Sequence, residues 1–444
     1  MSLRESGTAS SNMPRRRTVA VGALALVVSA CTSSTSKGGP SMTTTPSPSA
    51  GTSASPSLSN SPSTSASASS TPTGPSSPAT SATSAASATS AASSRSSRPT
   101  TCMDLAAGLT LQEQVGQLYM MAVTGSQIGP LEAQHLRDLG IGSVVLLQTP
   151  ALGLAGVRNL TGNIVAAGSG RIPVLVSADQ EGGLVQRLTG PGFSTIPAAT
   201  VQATWSTSGL SESWVTYASQ MREAGVLMNL APVTDLVTPA YAATNAPIGQ
   251  LNRNYGTSTT SVARSVSAVI AGLRREGVAS TAKHFPGLGA VTTNTDFGVA
   301  TDTTTTSSSP SLNGFAAASQ AGVSSVMVSS AIYQQIDPGL AAVFSSKIVT
   351  GLLRDKLGFG GVAISDDLGN AKSVAAVPAA ERGTRFLLAG GDIAMDADLY
   401  TIQSMVDDTL NRAESDRTFA ASLTTRVARV LALKASVGLV DCTG

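Results

Sequence analysis

The amino-acid sequence predicts a single (β/α)8 barrel of the TIM type, preceded by a long segment that does not belong to it. Two observations favour the barrel. Short apolar runs alternate with helical patterns from residue 102 to the end of the chain, and polar or charged residues directly follow several of those runs. Residues 1–101 show no such alternation beyond one apolar run near the start. The chain therefore divides into a leader, a linker and one folded domain, residues 102–444.

Residues 1–31 have the pattern of a lipoprotein signal peptide. Three arginines, Arg15 to Arg17, precede an apolar run that ends in small residues before Cys31. The run is shorter than the ~20 residues that a membrane-spanning helix needs. We expect export, cleavage before Cys31 and lipidation of its thiol, which would anchor the protein to the outer face of the cell membrane. An ordinary signal peptide with an incidental cysteine is the alternative.

Residues 32–101 consist almost entirely of Ser, Thr, Ala, Pro and Gly. Such a composition buries too little apolar surface to compensate for the entropy lost on ordering. We predict a disordered tether that holds the folded domain away from the membrane.

Eight strands are predicted in alternation with helices. The strands fall at 118–123, 143–147, 174–178, 227–231, 279–283, 325–329, 361–365 and 393–395. Helical patterns lie at 131–139, 157–167, 214–224, 262–276, 312–321, 346–356 and 382–389. A doubly wound open sheet is the alternative, but no Gly-x-Gly-x-x-Gly pattern follows the first strand.

Two cysteines, Cys102 and Cys442, bracket the predicted domain. In an exported protein this placement favours a disulfide, because the ends of a barrel lie close together. Two free thiols at the chain ends are the alternative.

Composition and motifs exclude several functions. The net charge is +2 without basic runs, which argues against nucleic acid as a partner. No P-loop or Gly-x-Ser-x-Gly motif is present, and a chain with two histidines is a poor candidate for a zinc site. One of the two, His135, lies in a polar helical pattern and is expected to be solvated.

The predicted strand ends carry carboxylates and cations that a barrel would gather at one mouth. They include Asp179, Glu181, Arg187, Asp235, Arg253, Lys283, His284, Asp366 and Asp367. Paired carboxylates surrounded by hydrogen-bond donors are suited to cleavage of a glycosidic bond. The predicted partner is thus a carbohydrate.

Five motifs carry a resemblance to a known family. They are ADQEGGLVQRL from Ala178, NLAPVTD from Asn229, RNYG from Arg253, KHFPGLG from Lys283 and ISDDL from Ile364. Together they resemble glycoside hydrolase family 3, in its NagZ-type β-N-acetylglucosaminidase branch. With the signal and tether, the chain is similar to the lipoprotein, LpqI-like members of that branch in actinobacteria.

The resemblance implies roles for individual residues. Asp366 falls where the family keeps the nucleophile that forms a covalent glycosyl-enzyme, and Asp367 would support it. The positions that grip sugar hydroxyls in the family are Asp179, Arg187, Arg253, Lys283 and His284. Glu181 is expected to fix its turn and Asp235 to hold neighbouring loops. No cofactor and no metal are implied.

The chain departs from the family in one loop. Where the NagZ-type pattern has Asp-Ser-His, with the histidine as general acid/base, this chain has Asn294-Thr295-Asp296. We predict that Asp296 takes over as acid/base, oriented by a hydrogen bond from Asn294, with its pKa raised by burial. Asp302 is the next candidate.

The predicted function is that of a retaining exo-β-N-acetylglucosaminidase acting on peptidoglycan fragments with N-acetylglucosamine linked to N-acetylmuramic acid. Hydrolysis is expected rather than phosphorolysis, because a carboxylate repels phosphate more than an imidazole does. A monomer is expected. The alternatives are a β-glucosidase or β-xylosidase of the same family, and a catalytically degenerate lipoprotein that binds muropeptides.

Overall fold

The computed structural model describes residues 100–148, 150–168 and 170–443. The predicted signal peptide, Cys31 and nearly all of the predicted tether lie outside these residues. Among the helices of the described part of the chain, none is both long and apolar enough to cross a membrane.

Eight parallel strands of the described residues form one sheet. Their bounds are β1 Tyr119–Thr124, β2 Ser143–Leu147, β3 Leu175–Ala178, β4 Met228–Asn229, β5 Ala279–Phe285, β6 Ser325–Val328, β7 Val362–Ser365 and β8 Ala394–Asp396. Each predicted strand corresponds to one of them. The short apolar runs form strands because both faces of a closed parallel sheet are covered.

The sheet closes on itself. Neighbouring strands follow the order β7, β6, β5, β4, β3, β2, β1, β8. A parallel bridge between Ile364 and Ile393 joins the last strand to the first, and the Ser365 N–H donates to the Ile393 carbonyl at 2.9 Å. The predicted TIM-type barrel is confirmed.

Helices surround the barrel. Their bounds are α1 Cys102–Ala107, α2 Leu111–Gln117, α3 Pro130–Asp138, α4 Gly153–Ala167, α5 Ala199–Gln202, α6 Thr207–Glu223, α7 Thr259–Arg275, α8 Leu312–Gln320, α9 Ala379–Ala389, α10 Ile402–Ser415 and α11 Arg417–Ser436, with a π-type helix at Lys347–Lys356. The predicted helical segments all overlap members of this set. Two short pairs of strands, Gln180–Gly182 with Val185–Gln186 and Thr301–Asp302 with Ile332–Tyr333, lie outside the barrel sheet.

Helix α7 illustrates how sequence periodicity gives a packed layer. Val262, Val266, Val269 and Leu273 recur at helical spacing and are all buried. Residues three and four apart lie on one helix face. That face packs inward, and the helix contacts both α6 and α8.

The two ends of the folded part are joined covalently. Cys102 and Cys442 form the predicted disulfide, with their Cα atoms 4.9 Å apart. The Cys102 N–H also donates to the Thr443 carbonyl at 2.8 Å. Because 340 positions separate the two cysteines, the bond restricts the unfolded chain strongly.

Candidate active site

A cavity of about 420 Å³ opens among the carboxyl ends of the barrel strands. Apart from the reserve candidate Asp302, its lining includes every residue that the sequence predicted for catalysis, for orientation of the acid or for sugar binding: Asp179, Arg187, Arg253, Lys283, His284, Asn294, Asp296 and Asp366. The structure therefore brings together side chains from the ends of β3, β5 and β7 and from the loops that follow them. A cavity of this size and position is typical of a small-molecule site on this fold.

A buried ion network forms one wall. The Lys283 Nζ lies 2.6 Å from Asp179 Oδ1 and 2.6 Å from Glu181 Oε1. Arg253 donates to both oxygens of Glu181, from Nε and Nη2, each at 2.8 Å. Two cations thus face two carboxylates, which is the arrangement that allows charges to be buried. Glu181 was expected to fix its own turn, but its carboxylate pairs with cations from two later segments of the chain and so holds this wall together.

This network also sets protonation states. Burial alone would raise the pKa of Glu181, but the Arg253 and Lys283 charges outweigh it and hold the pKa well below its usual range. Burial alone would lower the pKa of Lys283, but Asp179 and Glu181 raise it above the ordinary value. Lys283 therefore stays charged, as an ammonium at the cavity wall.

His284 is oriented by a buried carboxylate. Its Nδ1 lies 2.8 Å from Asp235 Oδ2, and its backbone N–H donates to Asp235 Oδ1 at 3.1 Å. Asp235 also accepts from the Leu288 N–H at 2.7 Å, so it joins β5 to the following loop as the sequence predicted. With Nδ1 engaged in this way, Nε2 is the ring nitrogen that remains for a ligand.

Lys283 and His284 both border the cavity although they are consecutive. Alternation along a regular strand would send them to opposite sides. The pairing of β5 with β6 shifts register between Lys283 and Phe285, and such an irregularity redirects side chains. The peptide bond between Lys283 and His284 is cis.

Asp366 follows directly after β7. Its Oδ1 accepts from the Asp367 N–H at 3.0 Å, and its Oδ2 accepts from the Ser330 hydroxyl at 3.3 Å. Burial raises the pKa of Asp366, while nearby His284 lowers it in part and Asp296 raises it further.

Asp367 also borders the cavity, but its oxygens are occupied by backbone groups. They accept from the N–H groups of Gly369 at 2.8 Å, Asn370 at 3.1 Å and Ala397 at 2.9 Å. This carboxylate fixes the loop after β7 against the loop after β8. Its position suits a supporting residue.

Asp296 lies in the loop after β5 and also borders the cavity, with its side chain exposed. The neighbouring walls still remove part of its water, and this desolvation raises the pKa of Asp296, with Asp367 adding to the rise and His284 opposing it. Because the side chain remains exposed, solvent screens these effects. The expectation that a hydrogen bond from Asn294 orients the Asp296 carboxyl group is wrong: the Asp296 backbone N–H donates to Asn294 Oδ1 at 2.9 Å instead. Asn294 therefore shapes the turn rather than contacting the carboxylate.

Two further expectations from the sequence are wrong. Asp302 does not border the cavity; it is buried, and its carboxylate accepts bonds from Thr304 and Thr305 within its own turn. His135 is 5% exposed rather than solvated. The polar pattern of α3 did not reveal that this side chain turns inward.

Several residues at the cavity were not predicted. Met327 of β6, Met395 of β8 and Thr124 at the end of β1 line it, as does Gln148 directly after β2. These residues could have been predicted from the sequence, because each lies at or close to the carboxyl end of a predicted strand, where the mouth of a barrel is expected.

Comparison with known families and proteins gives consistent results. Residues 110–433 match the family model of the glycosyl hydrolase family 3 N terminal domain. Over 316 residues the chain is 32% identical to a beta-hexosaminidase of Stenotrophomonas maltophilia (strain K279a), covering 69% of this chain and 90% of that relative.

Solved structures show the same relationship. A beta-N-acetylhexosaminidase from Beutenbergia cavernae DSM 12333 is similar with 39% identity and a TM-score of 0.72, covering 74% of this chain and 99% of the other. LpqI of M. tuberculosis is similar with 25% identity and a TM-score of 0.65, covering 76% of this chain and 97% of LpqI.

Proposed function

The chain belongs to glycosyl hydrolase family 3, and on that premise we propose that it is a retaining exo-β-N-acetylglucosaminidase. Its relatives named above are beta-hexosaminidases and a beta-N-acetylhexosaminidase. The observation that carries the proposal is the pair of carboxylates that border one cavity, Asp366 directly after β7 and Asp296 in the loop after β5. Cleavage of a glycosidic bond requires two such groups in different protonation states.

In the first step, a carboxylate oxygen of Asp366 attacks the anomeric carbon. The bond from that carbon to the glycosidic oxygen breaks, and the leaving oxygen takes a proton from Asp296. The raised pKa of Asp296 supports the acid role, because more of the group stays protonated as the pH rises.

In the second step, Asp296 has become a carboxylate and removes a proton from water. The water oxygen bonds to the anomeric carbon, the bond to Asp366 breaks, and N-acetylglucosamine leaves with retained configuration. The Asp367 N–H and the Ser330 hydroxyl, both bonded to Asp366, stabilise this residue as a leaving carboxylate.

The ion network supports recognition of a neutral sugar. Lys283, Asp179 and His284 offer donors and acceptors at the cavity wall, and a sugar hydroxyl stripped of water needs such partners. Because the cations and carboxylates of the network neutralise one another, the network can orient a sugar without favouring a charged ligand. This is consistent with a neutral N-acetylglucosaminyl unit as glycon.

For the leaving group we propose N-acetylmuramic acid or a peptide-bearing derivative, as in peptidoglycan fragments. The predicted exported and lipid-anchored location supports a cell-wall substrate. Lipidation of Cys31 is itself a proposal. We expect the native protein to begin at a diacylated Cys31, and mass spectrometry of its N-terminal peptide would contradict this by finding an unmodified cysteine.

The test is turnover of 4-methylumbelliferyl β-N-acetylglucosaminide by the purified domain, with the matching β-glucoside and β-xyloside as comparisons and Asp366→Asn as the control. We expect hydrolysis of the N-acetylglucosaminide that is lost in Asp366→Asn. Faster cleavage of the glucoside or xyloside would overturn the glycon assignment. Binding of muropeptides without turnover would indicate a degenerate site.

A second arm of the same assay adds inorganic phosphate. A carboxylate at position 296 should disfavour phosphate as acceptor, so free N-acetylglucosamine is the expected product. Faster turnover in phosphate, with the sugar 1-phosphate as product, would overturn the proposal of hydrolysis.

A further inference from the structure

The loop that carries Asp296 is fixed at both of its ends. Before it, the carbonyls of Leu288 and Val291 accept from Asn245 Nδ2 at 2.7 and 2.8 Å. After it, the Ala300 carbonyl accepts from the Ile332 N–H at 2.9 Å. Residues 294–300, here called the acid loop, span the interval between these two anchors.

One buried serine from another loop clamps the acid loop. The Ser373 N–H donates to the Thr295 carbonyl at 3.2 Å. Its hydroxyl donates to the Gly298 carbonyl at 2.9 Å and accepts from the Ala300 N–H at 3.3 Å. Ser373 therefore contacts the acid loop on both sides of Asp296, while Asp296 itself remains exposed.

Ser373 belongs to the same loop as the proposed nucleophile. Residues 366–374, here called the β7 loop, begin with Asp366 and end in a short 3-10 helix, Lys372–Val374. Between these points, the Asp367 carboxylate fixes the backbone of Gly369 and Asn370. Asp366 and Ser373 are thus two parts of one internally bonded segment.

We propose that Ser373 is a positioning residue that holds Asp296 at its working distance from Asp366. This inference rests on the proposed role of Asp296 as acid/base. Retaining glycosidases need their two carboxyl groups about 5–5.5 Å apart, and a displacement of about 1 Å can lower a rate about a hundredfold. A clamp between the loops that carry the two groups fixes that separation.

A merely structural serine and a positioning serine make different predictions. Loss of a structural bond would lower turnover of all substrates equally, through the fraction of folded protein. Loss of the clamp would mainly impair proton donation, which matters most when the leaving group is poor. Leaving-group dependence of kcat/KM is therefore the informative readout, because kcat/KM reports the first, acid-assisted step.

The experiment compares Ser373→Ala with three reference variants. Asp296→Ala defines the full loss of the acid. Ser345→Ala is the matched control, because Ser345 is also buried and bonds to Asp337 and to the Ile348 N–H, away from the acid loop. Ser373→Cys keeps the shape with a weaker donor and serves if the alanine variant does not fold.

Each protein is assayed on a β-N-acetylglucosaminyl disaccharide and on the 2,4-dinitrophenyl glycoside, whose leaving group needs no proton. For Ser373→Ala we expect kcat/KM to fall about tenfold or more on the disaccharide and less than about threefold on the dinitrophenyl glycoside. Ser373→Cys should show the same pattern with a smaller loss. Ser345→Ala should change neither value by more than about twofold.

Two negative results are distinguishable. If Asp296→Ala shows no leaving-group dependence, the proposed acid/base role of Asp296 is wrong. If Asp296→Ala shows it but the folded serine variants lose activity equally on both substrates, or lose none, then Ser373 does not position the acid.

Discussion

Two buried lysines lie at opposite ends of the barrel, and their surroundings differ in kind. At the mouth, Lys283 contacts two carboxylates, Asp179 and Glu181, each at 2.6 Å. At the base, Lys434 of α11 is fully buried and donates to Gln117 Oε1 at 2.6 Å and to the carbonyls of Gly142 and Pro173, each at 2.8 Å. Those three acceptors precede β1, β2 and β3.

The pKa values of the two amines move in opposite directions. Burial would lower the pKa of Lys283, but its carboxylate partners raise it. Burial lowers the pKa of Lys434 to about 7, with no carboxylate to oppose it. At the mouth, the charge of Lys283 is therefore balanced by carboxylates, and a ligand can contact these groups. At the base, uncharged acceptors bind Lys434 and so connect α11 to the sheet. This division matches the rule that function lies at the carboxyl ends of barrel strands and stability at the other end.

The largest expected effect is a loss of activity, without loss of stability, on changing one residue at the mouth of the barrel. Asp366→Asn should lower kcat by a factor on the order of 10⁴ or more, because the proposed nucleophile is lost. Stability should be unchanged or slightly higher, since burial of the ionised carboxylate is unfavourable, as its raised pKa indicates. Steady-state kinetics and thermal unfolding measure the two quantities. A large loss of stability together with activity would contradict the division.

Replacing each lysine separately by methionine tests the difference between the mouth and the base of the barrel. Lys283→Met should abolish most activity and lower the free energy of unfolding by about 3–5 kcal/mol, because Asp179 and Glu181 lose a cation. Lys434→Met should lower it by about 1–3 kcal/mol through unpaired acceptors, with activity within about twofold at a temperature where the variant is folded. Urea unfolding and kcat/KM provide the measurements. Similar loss of activity in both variants would contradict the assignment of Lys434 to structure alone.

The disulfide provides a second variant that should affect stability alone. Replacing both Cys102 and Cys442 by serine should lower the free energy of unfolding by about 2–4 kcal/mol, because the unfolded chain is no longer restrained. Activity at 25 °C should remain, since neither cysteine borders the cavity. Thermal unfolding with and without reductant checks this. A wild-type midpoint that is insensitive to reductant, with reduction verified by thiol titration, would contradict it.

The smallest expected effect, taken per pH unit, is the pH dependence of stability that each lysine contributes. The folded-state pKa of Lys434, about 7, lies below the unfolded value near 10.4. Above pH 7 the unfolded state therefore binds more protons, and stability from this residue should rise with pH by at most about 1.4 kcal/mol per unit up to about pH 10. The contribution from Lys283, whose pKa is raised, should be lost only above about pH 10.4. Wild type minus Lys434→Met, measured from pH 6 to 10, isolates the first slope; a difference that stays flat or falls would refute it.

Much of this organisation was predictable from the sequence, for physical reasons. The strands were predictable because a closed parallel sheet needs short, continuous apolar runs. The cavity residues were predictable because the mouth collects whatever follows those runs. A local pattern also suffices for the cap of α2, where the Thr110 hydroxyl accepts from the N–H of Glu113, three residues on, at 3.2 Å.

The contacts that orient and charge the site residues were harder to predict from the sequence, because they join residues far apart in the chain. Glu181, from the segment after β3, pairs with Lys283 of β5, and Asp235, from the loop after β4, bonds to His284. Ser373 lies 73 residues beyond the Ala300 that it contacts, and its local sequence does not distinguish it from any other serine. Only tertiary packing determines which residues become partners. It also buries His135, although the sequence around that residue is polar.

The central claim is that Asp366 forms a glycosyl-enzyme which Asp296 helps to hydrolyse. Its most direct test uses Asp296→Ala with the 2,4-dinitrophenyl β-N-acetylglucosaminide. The first step needs no acid with this substrate, and the second lacks its base, so the intermediate should accumulate. Peptide mass spectrometry should then find one N-acetylglucosaminyl group on Asp366, and added azide should remove it as the β-glycosyl azide. Release of dinitrophenol without any adduct, or an adduct on another residue, would contradict the account.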